Sequence, residues 1–330
     1  MEKLDNFDLK LLSELENNSR QTLSQIAKKL NTSQQVISYR IQSLQKNNII
    51  GGFYTLINFA SLNYTSYRTM VRLTNIDEIR HKEIISYLNE HTNVLWIVEC
   101  GGRWDLIVNF MAKNIIQYNN FLKEFKNKFP EQIQNYDTLT TIEGIYFGRD
   151  YFVKKLREIK QLLYFGRELK SIKVDKIDLK ILDLISENAK INSVDISLKL
   201  KISPNTVILR VKNMVKIGLM QGFKPLIHLE NTPYSAYKAL IKFQNITDER
   251  ENEIINYLKN NINIIGILKF IGLWDFEIEM EVDSKEQMLK ITRDFRDKFK
   301  DVIKEFEIIP LFHEYKYNYF PRDLLKVNSQ

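Results

Sequence analysis

The amino-acid sequence predicts an α+β fold made of two tandem copies of one unit. A constant shift of 170 positions aligns the two halves of the 330 residues. Residues 52–53 recur as 222–223, and residues 102–105 recur as 272–275 with Gly, Trp and Asp in the same places. Each half begins with three segments of helical apolar spacing and continues with strand-like segments that alternate with helices. Because self-similarity at a fixed spacing indicates an internal repeat, we expect a duplicated, two-module unit.

The composition is that of a folded protein, with 44% hydrophobic and 12% aromatic residues. Cys100 is the only cysteine, which excludes an intramolecular disulfide and favours a reducing, cytoplasmic location. No apolar stretch approaches the roughly 18 residues that cross a bilayer. The first ten residues carry three acids where a secretory leader needs a basic start. We therefore expect neither membrane association nor an export signal.

Three helices are predicted at the start of the unit. Residues 5–17 place apolar side chains at helical spacing, with acids in the first turn. Thr22 can cap a short second helix over 24–30, and Ser33 can cap a third helix after a tight turn. The third helix is expected to bury four apolar side chains: Val36, Ile37, Ile41 and Leu44. Its opposite face is polar and uncharged to basic, which suits the major groove of DNA.

The next segment, residues 49–57, is rich in β-branched residues and contains two glycines. This pattern predicts an extended hairpin, or wing. Two helices that meet across a tight turn and are followed by a wing make a winged helix-turn-helix. The constant shift places a second such module at the start of the second copy.

The remainder of the unit has the order βαββαβ. Alternating strand and helix patterns occupy residues 66–74, 79–91, 94–100, 104–112, 115–129 and 138–147. This order is typical of a ferredoxin-like (RAM-type) module, in which two helices cover one face of an antiparallel sheet. The other face of the sheet then needs a partner.

Five regions follow from these patterns. They are a first winged helix-turn-helix over 1–57, a first ferredoxin-like effector or oligomerisation module over 58–150, a basic connector over 151–172, a second winged helix-turn-helix over 173–228 and a second ferredoxin-like module over 229–330. The helix-turn-helix modules carry formal charges of +2 and +5 and the connector +4, whereas the sheet modules carry −1 and −3. Positive charge is thus concentrated where a duplex would lie, within a total of +7.

The residues resemble the Lrp/AsnC (leucine-responsive/asparagine regulator) family of transcription regulators, over both halves of the chain. The pattern from Leu4-Asp5 through Ser33 to Arg40-Ile41 is similar to the DNA-binding domain of that family, and Gly102-x-Trp104-Asp105 is similar to the turn of its ligand-sensing domain. The resemblance implies a regulator that binds double-stranded DNA and responds to a small effector such as an amino acid. The family usually has one copy per chain, so the tandem duplication is a departure from it.

Polar side chains of the two third helices are the candidates for DNA contact. They are Ser33, Gln34, Gln35, Ser38, Tyr39 and Arg40 in the first copy, and Ser203, Asn205, Thr206, Arg210 and Lys212 in the second. Their amides and hydroxyls can hydrogen-bond base edges or phosphates. For Arg40 and Arg210, phosphate contact and a structural salt bridge are both open. The second copy has Ile208-Leu209 where the first has Ser38-Tyr39, which predicts less specific DNA binding or burial of that face against protein.

The resemblance places a small effector near the turns of the sheet modules. The candidate residues are Gly102, Trp104, Asp105, Gly272, Trp274 and Asp275. Glycine lets backbone amides approach a carboxylate, and aspartate can hold an ammonium group. A purely structural role is the alternative, in which glycine makes the turn, tryptophan packs in the core and aspartate caps the backbone.

No catalytic or metal motif is found in the sequence, and no cofactor or metal is predicted. Two alternatives to a regulator remain open. One is an enzyme like the sirohaem decarboxylases, which resemble the same two-module architecture, and the other is an effector-binding or assembly protein with a degenerate DNA-binding module. The main hypothesis is an internal pseudo-dimer, with a further homo-oligomer also open. Its two third helices would meet half-sites about one helical turn, roughly 34 Å, or a multiple of it apart.

Overall fold

The computed structural model describes residues 4–154, 162–166 and 172–327. The helices are α1 (Asn6–Asn17), α2 (Leu23–Lys29), α3 (Gln34–Lys46), α4 (Glu78–Glu90), α5 (Ile115–Lys128), α6 (Lys176–Glu187), α7 (Ser193–Leu200), α8 (Pro204–Lys216), α9 (Asp248–Lys259), α10 (Lys285–Lys298) and α11 (Asp323–Val327). The strands are β1 (Ile50–Ile57), β2 (Thr65–Leu73), β3 (Val94–Cys100), β4 (Leu106–Ala112), β5 (Ile133–Tyr146), β6 (Leu163–Gly166), β7 (Met220–Ile227), β8 (Ser235–Phe243), β9 (Ile264–Ile271), β10 (Phe276–Val282) and β11 (Ile303–Tyr317).

Side-chain caps fix where the helices of the first three-helix unit begin. Asp5 and Asp8 form a capping box at α1, in which each carboxylate accepts a hydrogen bond from the backbone N–H of the other residue. Thr22 and Gln25 form a second capping box at α2, and the Ser33 hydroxyl accepts from a backbone N–H at the start of α3. The second copy repeats the first box with Asp175 and Asp178 and the third cap with Ser203.

The segment predicted as a hairpin is a single strand that pairs with the other copy. Strand β1 runs antiparallel to β7, with Phe53 opposite Pro225. The contacts around the pair are repeated by symmetry, because Ser19 N donates to Phe223 O at 2.9 Å and Ala189 N donates to Phe53 O at 2.8 Å. The prediction of a hairpin within one copy was wrong, since each copy supplies only one strand and the other copy supplies its partner.

Each ferredoxin-like module forms a four-stranded antiparallel sheet. The strand order is β3-β4-β2-β5 in the first module and β9-β10-β8-β11 in the second. Helices α4 and α5 pack on the first sheet and α9 and α10 on the second, where aromatic side chains of the helices fill each interface. The predicted βαββαβ order is therefore present in both copies.

Two long strands join the sheets of the copies into a closed barrel. The first half of β5 pairs with β2 and its second half with β9, while β11 pairs first with β8 and then with β3. Eight strands thus close in the order β2-β4-β3-β11-β8-β10-β9-β5, with β6 as a further strand on β5. The helices lie outside the barrel, and a separate apolar cluster fills part of its interior. The predicted tandem α+β architecture is confirmed.

The predicted basic connector is described only in part. Residues 155–161 and 167–171 lie outside the described residues, and between them β6 pairs with β5 through Glu143 and Gly166. Strand β6 brings the ring of Phe165 to within 6.0 Å of the Phe59 ring. Among the described residues, no helix has the length and apolar character that spanning a membrane requires.

Candidate nucleic-acid interface and internal cavity

Helix α3 presents most of its predicted DNA-contacting side chains to solvent. Gln34 and Gln35 are exposed, Ser38 is partly exposed, and Tyr39 retains 69% of its accessible surface. Ser33 is also exposed, and its hydroxyl caps α3 by accepting a hydrogen bond from the backbone. A surface of amides and hydroxyls on a helix that follows a tight turn can hydrogen-bond to base edges and phosphates.

One residue of α3 that was predicted to be buried is exposed. Val36 is 40% exposed, whereas Ile37, Ile41 and Leu44 are buried as predicted. Positions three and four residues apart share a helix face, so Val36 lies on the solvent-facing side with Tyr39. The correction adds an apolar side chain to the candidate DNA-binding surface, where it suits contact with a thymine methyl group.

Helix α8 differs from α3 in the chemistry of this surface. Asn205 and Lys212 are exposed, Thr206 is half-buried, and Ser203 caps the helix. Leu209 is 67% exposed and Ile208 is also exposed. The face is therefore open to solvent within the described residues, and its burial against another protein molecule stays a prediction.

The structure engages both candidate arginines in ion pairs. Arg40 Nη1 lies 2.8 Å from Asp5 Oδ2, and Arg210 Nη1 lies 2.7 Å from Asp175 Oδ2. Each guanidinium also contacts the second aspartate of the capping box. These contacts join the third helix to the start of the first helix in both copies, which is the structural alternative. Contact of either arginine with phosphate stays a prediction.

The two Gly-x-Trp-Asp turns have the geometry of structural turns. Gly102 has a φ of 88°, a conformation that L side chains rarely adopt. Asp105 Oδ2 accepts from Leu73 N at 2.7 Å, and Asp275 Oδ2 accepts from Phe243 N at 2.8 Å. These backbone donors fit the structural role of the two aspartates. Binding of an effector at the turns stays a prediction.

The tryptophans of both turns belong to the same apolar cluster inside the barrel. Trp104 and Trp274 are almost fully buried in this cluster, and no described residue forms a hydrogen bond with either Nε1 atom. Gly272 packs against the backbone of the other copy, since an added Cβ would lie 3.0 Å from Thr138 O. A shallow surface depression adjoins only the first turn, where Gly102, Trp104 and Arg72 line it.

An internal cavity of about 320 Å³ lies at the other end of the barrel and was not predicted. Its walls come from both sheets, from the segments that join β1 and β7 to the sheets, and from β6. Aromatic rings make up much of the lining: Phe59, Trp96, Tyr146, Phe165, Tyr317 and Tyr319. The two copies contribute unequally, because the position equivalent to Trp96 in the second copy is Gly266. A cavity of this size is at the lower end of ordinary small-molecule sites.

A triad of buried charges lies beside the cavity. Glu277 is fully buried and forms ion pairs with Arg68 and, at 2.6 Å, with Lys238 Nζ. Burial alone would raise the pKa of Glu277, but the Arg68 and Lys238 charges outweigh it and hold the pKa below its usual range. Lys238 also contacts Glu279, and both cations lie over the ring of Trp96. The two cations of the triad are thus balanced by two carboxylates.

Glu314 is the acid of the cavity lining that forms no ion pair with any described residue, whereas Glu230 contacts two imidazoles and Glu279 and Glu281 contact cations. Its Oε1 accepts from Trp96 Nε1 at 2.8 Å, and within the described residues no donor reaches Oε2. Burial raises the pKa of Glu314 to about 7. The charges that face it, Arg149 and Lys238 against Glu279, offset one another only in part. Glu314 is half-buried and lines the cavity, so its carboxyl is accessible from there.

This titration predicts a pH dependence of stability. The folded protein holds the Glu314 proton more tightly than the unfolded chain does, so its contribution is complete at low pH and is lost as the pH rises through about 7. The expected loss is at most roughly 3 kcal/mol. Urea unfolding at pH 5 and pH 8 checks it: wild type should lose more stability between these values than Glu314→Gln, and equal losses would contradict the assignment.

A buried junction connects the cavity to the helix-turn-helix modules. Arg149, which lines the cavity, donates to Glu281 of β10 at 2.8 Å and to Glu16 of α1 at 3.2 Å. Tyr146 OH donates to the same Glu16 at 2.5 Å, and Lys224 Nζ of β7 donates to its carbonyl at 2.6 Å. Glu16 thus contacts the first sheet module and the second helix-turn-helix, and Arg149 links it to Glu281 of the second sheet module.

The comparison with known proteins matches both three-helix segments. The family described as winged helix-turn-helix DNA-binding matches residues 4–50 and 174–219. The HTH-type transcriptional regulator FL11 of Pyrococcus horikoshii is 27% identical over 119 residues, which are 36% of this chain and 78% of that protein. An uncharacterised HTH-type transcriptional regulator of Pyrococcus abyssi is 33% identical over 137 residues, which are 38% of this chain and 88% of that protein.

The whole tandem fold has a counterpart among solved structures. The siroheme decarboxylase NirDL in complex with an iron-uroporphyrin III analogue matches with a TM-score of 0.61 and 10% identity, over 98% of this chain and 97% of that one. At this identity the likeness shows the fold alone. The sequence relatives, in contrast, are regulators of which this chain spans more than three quarters in a single copy. The chain therefore belongs to the Lrp/AsnC family of winged helix-turn-helix transcription regulators, as a member in which the two-module unit occurs twice.

Proposed function

We propose that the chain is a cytoplasmic, sequence-specific regulator that binds double-stranded DNA with α3 and α8 of a single molecule. The observation that carries this proposal is the exposed polar face of α3. This helix belongs to the first winged helix-turn-helix, which is joined to the second by the pairing of β1 with β7. Two such helices related by an approximate two-fold axis suit two half-sites of one operator. Their unequal chemistry favours an imperfect palindrome, with α3 reading the more specific half.

The distribution of charge supports this assignment. The helix-turn-helix modules are positive, at +2 and +5, while both sheet modules are negative. Lys212 and Lys216 of α8 are exposed and have no ion pair among the described residues. Phosphate contacts from such side chains give affinity that is independent of sequence and sensitive to salt. The second copy would then supply affinity and the first specificity.

The test is selection from fragmented genomic DNA, followed by affinity measurements across a salt series. Lys212→Ala with Lys216→Ala should weaken binding to all sequences alike and flatten the salt slope by about one per lost phosphate contact. Gln34→Ala with Gln35→Ala should instead reduce the preference for the selected sequence. Lys82→Ala on the exposed face of α4 is the matched control, and it should change neither quantity.

A sirohaem decarboxylase is the second candidate, because the tandem fold matches over its full length. The cavity argues against it. Arg68, Lys238 and Arg149 are each ion-paired with a glutamate, so no lining arginine or lysine is left for the carboxylates of a tetrapyrrole. Incubation with sirohaem checks the point through the visible spectrum and release of CO₂. Turnover without selective DNA enrichment at any salt concentration would replace the regulator by the enzyme.

We also propose that a small effector modulates DNA binding. An effector can act only if its affinity differs between the arrangements that can and cannot bind DNA. The two turns offer carboxylates that backbone groups already occupy. The internal cavity offers open space, and its lining residue Arg149 contacts α1 directly. The cavity is therefore the better position for such an effector.

A further inference from the structure

Most of the described charges around the internal cavity are paired, and Glu230 in its lining contacts the imidazoles of His228 and His313. Arg68 and Lys238 are matched by Glu277 and Glu279. At the junction, Arg149 and Lys224 are matched by Glu281 and Glu16 in the same way. Among the described residues no cation pairs with Glu314, and an ionised carboxylate in this position needs a positive partner.

The surroundings of Glu314 define the partner further. Glu314 lines the cavity, its Oε1 accepts from Trp96 Nε1, and no described residue donates to its Oε2. The rings of Trp96, Tyr317 and Tyr319 line the same cavity, and the Tyr317 and Tyr319 rings lie 5.4 Å apart. Aromatic faces attract a cation and cover its carbon skeleton. A carboxylate opposed by aromatic rings is thus complementary to an organic ammonium ion.

We propose that the cavity binds a small primary amine, whose ammonium group contacts the Glu314 carboxylate and whose carbon skeleton packs on Trp96 and Tyr317. The ligand is an amine and not an amino acid, because every arginine and lysine in the described lining already has a glutamate partner. An α-carboxylate would therefore be buried without a donor of opposite charge.

The inequality of the copies is what makes room for this ligand. Trp96 occupies one side of the barrel axis and supplies both a ring and a hydrogen bond to Glu314. At the equivalent position Gly266 has no side chain, and an added Cβ would lie 3.0 Å from Ile145 O. The second copy therefore adds no side chain to the cavity at the position that Trp96 occupies in the first.

Residues that line the cavity also contact the first helix-turn-helix, so binding of the amine can affect DNA binding. This step rests on the proposed DNA-binding function. Tyr146 and Arg149 line the cavity and also hold Glu16 of α1. A ligand that displaces either side chain changes the contact between the sheet barrel and the first helix-turn-helix. The amine is therefore expected to change DNA affinity through Glu16.

Calorimetric titration of the full chain, without DNA, tests the site. The probes are phenethylamine, phenylalanine and 2-phenylethanol, which share a ring and differ in charge. We expect saturable binding of phenethylamine alone, and affinity that increases from pH 6 to pH 8 as Glu314 ionises. Glu314→Gln should weaken it by roughly tenfold or more. Glu305→Gln, an exposed acid on the same strand, is the matched control and should bind like wild type.

A second variant tests whether the ligand occupies the cavity, without removing the charge of Glu314. Ala236→Leu adds a side chain to the lining and leaves Glu314 in place, so it should also weaken binding while the thermal unfolding stays that of a folded protein. Equal binding of the three probes, no saturable binding of phenethylamine, or wild-type affinity in Glu314→Gln would each overturn the proposal. Because these titrations contain no DNA, a failure of the regulator function leaves their outcome unchanged.

Discussion

Replacing Glu277 by glutamine is expected to lower the free energy of unfolding by about 3–5 kcal/mol. The carboxylate is fully buried between Arg68 and Lys238, so the substitution leaves two buried cations with reduced compensation. Urea unfolding followed by tryptophan fluorescence measures the loss. All three tryptophans of the chain lie in the barrel cluster, so the signal reports on the structure that the substitution disturbs.

Two further variants separate this explanation from a general effect of removing a charge. Glu253→Gln removes an exposed partner of Arg250 and should leave the free energy of unfolding nearly unchanged, because solvent screens exposed ion pairs. Replacing Arg68, Glu277 and Lys238 by methionine together with Glu279→Gln should recover most of the loss, because none of these linked charges then lacks a partner. Wild-type stability in Glu277→Gln would mean that water reaches the triad.

Exchanging the recognition residues between the copies is expected to give the largest effect on DNA binding. Ser38→Ile with Tyr39→Leu gives α3 the residues that α8 has at these two positions. The double variant should bind the selected DNA about 10- to 100-fold more weakly. Binding to unrelated DNA should change little, since no charge is removed. Both side chains are at least partly exposed, so the fold should tolerate the change. Competition between labelled selected DNA and random fragments measures both affinities.

The reciprocal variant is the control. Ile208→Ser with Leu209→Tyr gives both copies the residues of the first, so this protein should gain affinity for a symmetric palindrome built from the half-site of α3. It should also lose an exposed apolar surface, which favours solubility. If both double variants select the same DNA as wild type, then α3 and α8 do not read the sequence.

The repeat and its elements were accessible from the sequence because they depend on local signals. The caps at Asp5, Thr22 and Ser33 lie beside the helices that they begin, and the alternation of strands and helices is visible residue by residue. Pairing between the copies carries no such local signal. For this reason β1 was predicted as part of a hairpin, when its partner is β7, about 170 positions away.

The internal cavity was missed for a similar reason. Glu277, Glu279 and Glu281 alternate with apolar residues, a pattern that is typical of a strand with one face in solvent. Closure of the barrel turns that face inward, so the same pattern places acids beside Arg68 and Lys238. The available signal was the occurrence of opposite charges in several strands of the same module, which a solvated surface explains equally well.

The DNA-binding candidates lie where the motif suggested, but the roles of the arginines could not be read from spacing. Arg40 and Arg210 recur at the same place in each copy, which suits a repeated phosphate contact. The capping aspartates recur too, and the fold brings them within 3 Å of the guanidinium groups. A repeated residue thus indicates a repeated environment, whether that environment is made of DNA or of protein.

Strand pairing between the copies has a consequence for how the molecule responds to its own abundance. A regulator assembled from separate subunits loses its paired form when it is diluted below its dissociation constant. Here the pairing of β1 with β7 and of β11 with β3 is intramolecular, at an effective concentration in the mM range for linked modules. In the proposed binding mode, in which α3 and α8 of one molecule occupy one operator, occupancy would follow the first power of protein concentration, and the response of a target gene to synthesis of this chain would be graded instead of steep.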